Sequence, residues 1–223
     1  MINIEMLRAI CEMEESVTSP QVQCAFNFNI NGHPLDENTF SYVANTGDIK
    51  LIKYLHKKNC PWDKSTCENV AKGGHLECLQ FVHENGCPWD EVTCAAAAFS
   101  GNIQCLDYAH THGCPWDTNT CFVAAKEGHL EMLTYAHTHG CPWDKNTCAW
   151  AASNGHIGCL TYAHTHGCPW DQFTSGYAAE KGRLECLTYA HTHGCPVNKE
   201  ICLTISTNQN IIDYLHSITP SNQ

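Results

Sequence analysis

The sequence predicts an all-α helical repeat solenoid of about seven helix-turn-helix units, and three observations predict it. A 27-residue phrase, CPWDTNTCFVAAKEGHLEMLTYAHTHG, begins at Cys114 and begins again almost unchanged at Cys141 and Cys168. Looser copies begin at Cys60 and Cys87, and worn ones at His33 (HPLD for CPWD) and Cys195 (CPVN), so the period never breaks. Within the copies, the steadiest residues fall at helical spacing. A repeat of this length outranks other sequence signals, because each unit of a stacked array touches only its neighbours.

Residues 1–32 do not carry the phrase. In PQVQCAFNFNING, Val22, Cys24 and Phe28 match apolar positions of GHLECLTYAHTHG. The segment is therefore expected to be a worn half-repeat that caps the first full one, as terminal repeats degenerate. An unattached leader is the alternative. The array runs over 33–219, followed by a polar tail at 220–223.

Numbering each repeat from its CPWD cysteine, Asp at position 4 is the expected N-cap of a short helix over positions 5–13, since its carboxylate accepts from free backbone N–H groups. Positions 8, 11 and 12 are mostly Cys, Ala or Val, and Ala, an i, i+3, i+4 stripe that marks the buried face. Phe40 and Ser175 replace the cysteine at position 8. Glycine at position 15 ends this helix. A second helix is expected over positions 16–25, with apolar residues at 17, 20 and 23 and a closing glycine at 27, replaced by Asn59 in the first copy. Pro at position 2 fixes the turn and cannot extend the preceding helix. Trp62, Trp89, Trp116, Trp143 and Trp170 are expected to fill space between stacked units, and Val197 in the last copy fits a unit with no further neighbour.

The run TCxxAA followed by GHLE, an apolar residue, Leu and a glycine one turn later resembles the ankyrin repeat, over about five-sixths of the chain. The units are shorter than the family's 33 residues, with CPWD where a β-hairpin finger begins and Thr-Cys in place of TPLH. Such shortened CPWD units are similar to those abundant in large DNA viruses of protists and in some protists and algae. The resemblance implies a non-enzymatic scaffold that binds another protein and lacks full fingers.

The totals exclude several classes. Twelve Lys and Arg stand against 23 Asp and Glu, a formal charge of -11, which opposes binding to nucleic acid. The start, MINIEMLRAICEMEES, lacks the basic and apolar pattern of a signal peptide, and no stretch is long enough to span a membrane. Seventeen cysteines without a secretory route point to free thiols in a reducing compartment, hence an intracellular, cytoplasmic location, in a host cytoplasm or virion if the chain is viral. Cysteines at positions 8 and 19 are expected to be buried as small hydrophobes rather than to act as redox sensors. No cofactor is expected, and no catalytic set emerges outside the repeated phrase.

The motif HTHGC sets two imidazoles and a thiol, all zinc-ligand types, within five residues. It places His110, His112 and Cys114, then His137, His139 and Cys141, then His164, His166 and Cys168, and recurs at His191. Position 24 stays His in copies that lack the second His, as at His56 and His83. The simpler expectation is therefore structural: this residue bonds the turn and favours the helix C-terminus when charged. The motif also lacks the Cys-x-x-Cys knuckle of structural zinc sites.

Positions 5, 6, 9, 10, 13 and 14 drift between copies, and 6, 10 and 13 lie opposite the buried stripe. Large residues occupy several of them: Tyr42, Phe99, Phe122, Trp150, Phe173 and Tyr177. This strip is the candidate surface for a protein partner, since aromatic residues are enriched at interface hot spots. The competing reading makes Trp150 and Tyr177 inter-repeat filler. A self-assembling structural role, for example in a virion, and a zinc-binding ladder are the alternatives to a scaffold. The identity of the partner and the oligomeric state stay open.

Overall fold

The computed structural model describes residues 4–16 and 36–218, and the described residues form fifteen helices and no strand. They fall into two compact units, one ending at Pro115 and the other beginning at Trp116. In the first unit, α1 (Ile4–Ser16) precedes three helix pairs: α2 (Glu37–Ala44) with α3 (Ile49–Lys57), α4 (Lys64–Lys72) with α5 (Leu76–Glu84), and α6 (Glu91–Ser100) with α7 (Ile103–Thr111). The second unit holds α8 (Thr118–Glu127) with α9 (Leu130–Thr138), α10 (Lys145–Asn154) with α11 (Ile157–Thr165), α12 (Gln172–Glu180) with α13 (Leu184–Thr192), and α14 (Lys199–Ile205) with α15 (Gln209–Ser217). The apolar matches at Val22, Cys24 and Phe28 lie outside the described residues.

Local chemistry sets the ends of each helix. The side chains of Asp63, Asp90, Asp117, Asp144 and Asp171 each accept from a backbone N–H two residues on, as N-caps of the first helices. Second helices begin one residue later than expected, at position 17, because the residue at 16 is the N-cap. Asn102 caps with its side chain, whereas His75, His129, His156 and Arg183 make no such bond. The turn glycine at position 27 has positive φ, 83° to 87° from Gly86 to Gly194, and Asn59 takes the same left-handed region at 55°. Asparagine is the residue after glycine that best tolerates it.

Within each unit the first helices pack side by side, as do the second helices. Their common core is mainly apolar. Leu79, Leu106, Leu133, Leu160 and Leu187 at position 20 are fully buried. Each stabilises the stack by about 1.5–3 kcal/mol. Cysteine and alanine at 8, 11 and 12 let neighbouring first helices approach closely. In the first unit α1 packs on α3, with Leu7 and Cys11 buried and the Arg8 guanidinium 2.8 Å from the Asp48 carboxylate.

The thiols join one repeat to the next. The Cys87 and Cys114 thiols donate over 3.2 Å to the carbonyls of Asp63 and Asp90, and those of Cys141, Cys168 and Cys195 do the same to Asp117, Asp144 and Asp171. Position 8 answers in the other direction: the Cys67, Cys94 and Cys121 thiols lie 3.8 Å from the carbonyls of Cys87, Cys114 and Cys141. Where serine stands at this position, the Ser175 hydroxyl makes a shorter bond, 2.6 Å, to the Pro196 carbonyl. Beside these joints, Thr66, Thr93, Thr120, Thr147 and Thr174 bury hydroxyls that have no hydrogen-bond partner.

Candidate binding face

The first helices turn positions 6, 9, 10 and 13 away from the buried stripe, and this face differs between the units. In the first, Tyr42 and Phe99 are 47% and 42% exposed. Asn69 and Ala96 stand at the position Tyr42 holds in its own repeat, and the Lys72 ammonium sits 5.4 Å over the Phe99 ring. In the second unit the aromatics touch. Phe122 meets Trp150 edge-on at 5.9 Å, Trp150 meets Tyr177 at 6.0 Å, and Tyr177 meets Phe173 at 5.9 Å. Phe173 is 49% exposed, whereas Phe122, Trp150 and Tyr177 are half-buried. Trp150 and Tyr177 therefore fill space between helices and still present a surface to solvent.

This run ends in a notch that the sequence pattern did not single out. A cavity of about 180 Å³ lies between α12 and α14, walled by Phe173, Tyr177, Ile201 and Ile205. Gly176 makes the space, for a Cβ built there would meet nothing within 4 Å. Ile201 and Ile205 are exposed at 53% and 37%. The available signal was Ile201, which stands where the six preceding copies carry threonine. A second, wider depression of about 420 Å³ lies on the other layer of the unit, over Leu130, Ile157 and Gly158.

The HTHGC motif sends its three candidate ligands in three directions. The Cys114, Cys141 and Cys168 thiols point into the stack and are committed to carbonyls. His112, His139 and His166 turn back on their own helices, with Nδ1 2.8 Å from the carbonyls of Tyr108, Tyr135 and Tyr162. A carbonyl only accepts, so the proton sits on Nδ1. His137 and His164 stack flat on Trp143 and Trp170 at 3.8 Å, as His83 does on Trp89 at 3.7 Å. His110 is half-buried at the end of α7. Among the described residues no three His, Cys, Asp or Glu side chains converge as metal ligands would.

The role expected of position 24 thus belongs to position 26, which makes the bond that closes the turn. Position 24 does a different job: its Nδ1 pairs with the tyrosine hydroxyl of the next repeat, His83 with Tyr108 at 2.9 Å and His164 with Tyr189 at 3.0 Å. Nor does the site favour charge. Burial, followed by the neighbouring His112, His166 and His193, holds the pKa of His83, His137 and His164 below the ordinary value of 6.5. The thiols are shifted the other way. Burial pushes Cys78, Cys105, Cys159 and Cys186 up to about 11, against the low values of reactive thiols. Hydrogen bonding to Cys141, then burial, pushes the Cys121 thiol up as well.

No family model matches the chain, and no curated protein matches it. Among solved structures, the ankyrin repeat domain of human ASB11 superposes with a TM-score of 0.64 at 15% identity, covering 82% of this chain and 99% of that one. At that identity the likeness is one of fold, and the fold is the ankyrin-repeat fold. The expected all-α, ankyrin-like architecture is the one observed. No helix among the described residues is long and apolar enough to cross a membrane.

Proposed function

We propose that the chain is a non-enzymatic scaffold that holds a protein partner on the outer face of its first helices, chiefly in the second unit. The observation that carries this reading is the run of touching, part-exposed aromatics from Phe122 through Trp150 and Tyr177 to Phe173. Such rings are held by their neighbours before association, so little ordering entropy is lost on binding. Support also comes from how the phrase uses its reactive side chains: Asp at position 4 on caps, cysteines on joints, histidines on stacking. The free, buried thiols favour a reducing, intracellular setting. The CPWD phrase itself supports kinship with the shortened units of large DNA viruses and protists.

Affinity capture from cell extract tests the reading, comparing wild type with the F122S/W150S/F173S/Y177S variant after circular dichroism shows both folded. A partner retained by wild type and lost by the variant is the expected result. Equal capture by both overturns the assignment of this face. If neither captures a partner and both sediment as large assemblies, the protein is a self-assembling structural component instead.

A further inference from the structure

We infer that the notch between α12 and α14 is an anchor pocket for a short partner segment bearing one large apolar side chain next to a Lys or Arg. The inference rests on the binding-face reading above and names the chemistry of the occupant. Size is the first argument. At about 180 Å³ the cavity is too small for a drug-sized ligand, whose pockets run from roughly 300 Å³ upward, but it suits a single side chain. Its walls are the second. Phe173, Ile201 and Ile205 leave 37% to 53% of their surfaces in water, an arrangement that gains most from an apolar insert. The vacancy is also built in, because Gly176 lies on a helix and has the space for a side chain it lacks.

Charge decides what stands beside the anchor. The cations near the notch are turned back onto the protein. Lys145 binds the Asp171 carboxylate at 2.9 Å and covers the Phe173 ring at 5.8 Å, and the Lys199 ammonium donates to the Ile218 carbonyl at 3.0 Å. Glu180 lines the cavity in an ion pair with Lys181 at 2.9 Å, and Glu200 is exposed in the first turn of α14 beside Ile201. The chain as a whole carries a charge of -11. A cationic residue flanking the anchor therefore meets Glu200 on an acidic chain, whereas an acidic one is repelled.

A phage-displayed library of random twelve-residue peptides, selected on the full chain, tests this. Enriched sequences should pair Trp, Phe or Leu with Lys or Arg close by. Gly176→Leu places its Cβ in open space and replaces a helix glycine, so it should fold at least as well as wild type while its side chain occupies the notch. It should weaken the selected peptides at least about tenfold, as loss of a central anchor does. Glu200→Lys should weaken them by a smaller, salt-sensitive factor. Enrichment of acidic or purely polar sequences overturns the inference. So does undiminished binding to Gly176→Leu: if the same peptides are lost with F122S/W150S, the notch falls and the face stands, and if they are not, both fall.

Discussion

The two units are written in one phrase, yet among the described residues the chain of touching aromatics on the outer face belongs to the second. Their interiors match: position 20 is a fully buried leucine in both, and the cysteine joints repeat at 3.2 Å in both. Outside, Tyr42, Phe99 and Lys72 are exposed in the first unit, whereas Phe122, Trp150, Tyr177 and Phe173 form a chain of ring contacts in the second. The difference teaches where change is tolerated. A residue between repeats must fit two copies of the phrase at once, while an outward residue answers only to water or to a partner.

The largest expected effects should be the same in both units, and unequal ones would break the comparison. Leu106→Ala in the first unit and Leu160→Ala in the second should each cost about 2–5 kcal/mol, because both remove a fully buried side chain from equivalent surroundings. Urea unfolding of the two variants measures this. Next come the stacked tryptophans. Trp89→Ala and Trp143→Ala each strip the partner from a histidine, and a loss of about 2 kcal/mol is expected for either by the same assay.

Acid should then separate the units. A histidine whose folded pKa lies below its unfolded value binds fewer protons folded than unfolded, so its contribution is complete above about pH 6.5 and is lost as the pH falls toward the folded value. His83 is so placed in the first unit, facing Trp89, Tyr108 and His112, with Glu84 drawing its pKa partly back up. The second unit has two such histidines, His137 facing His166 and His164 facing His193, with no carboxylate opposing the shift. Hydrogen exchange at pH 7.5 and 5.5 should show the greater loss of protection in the second unit. The smallest effect belongs to the outer face: Phe99→Ser and Phe173→Ser should each change stability by no more than about 0.5 kcal/mol, and only the second should alter binding.

Much of this was legible before any coordinate. Caps and turn glycines are local chemistry, so Asp63, Asp117 and Asn59 could be read from their immediate neighbours. The buried stripe followed from periodicity alone. What escaped were contacts that depend on how one copy sits against the next. His137 reads as a turn residue until Trp143 and the Tyr162 hydroxyl are brought to it from the following repeat. The five unpartnered threonine hydroxyls escaped for the same reason, since only packing removes water from them. The notch was missed because Ile201 and Ile205 lie in a copy that reads as a decayed end, where departures from the phrase look like wear.

The thiol joints have a consequence for how such a chain lengthens. Those at position 1 are made by a cysteine side chain to a backbone carbonyl 24 residues earlier and those at position 8 to one 20 residues later, so they recognise the phrase and not the identity of any neighbouring side chain. Any copy can then follow any other without a new interface being invented. Unequal recombination within the gene would add or drop a repeat and leave every remaining joint intact, carrying the aromatic face along as a cassette. A chain with the copy at Cys141 duplicated should fold cooperatively and gain one more stacked histidine, tryptophan and tyrosine.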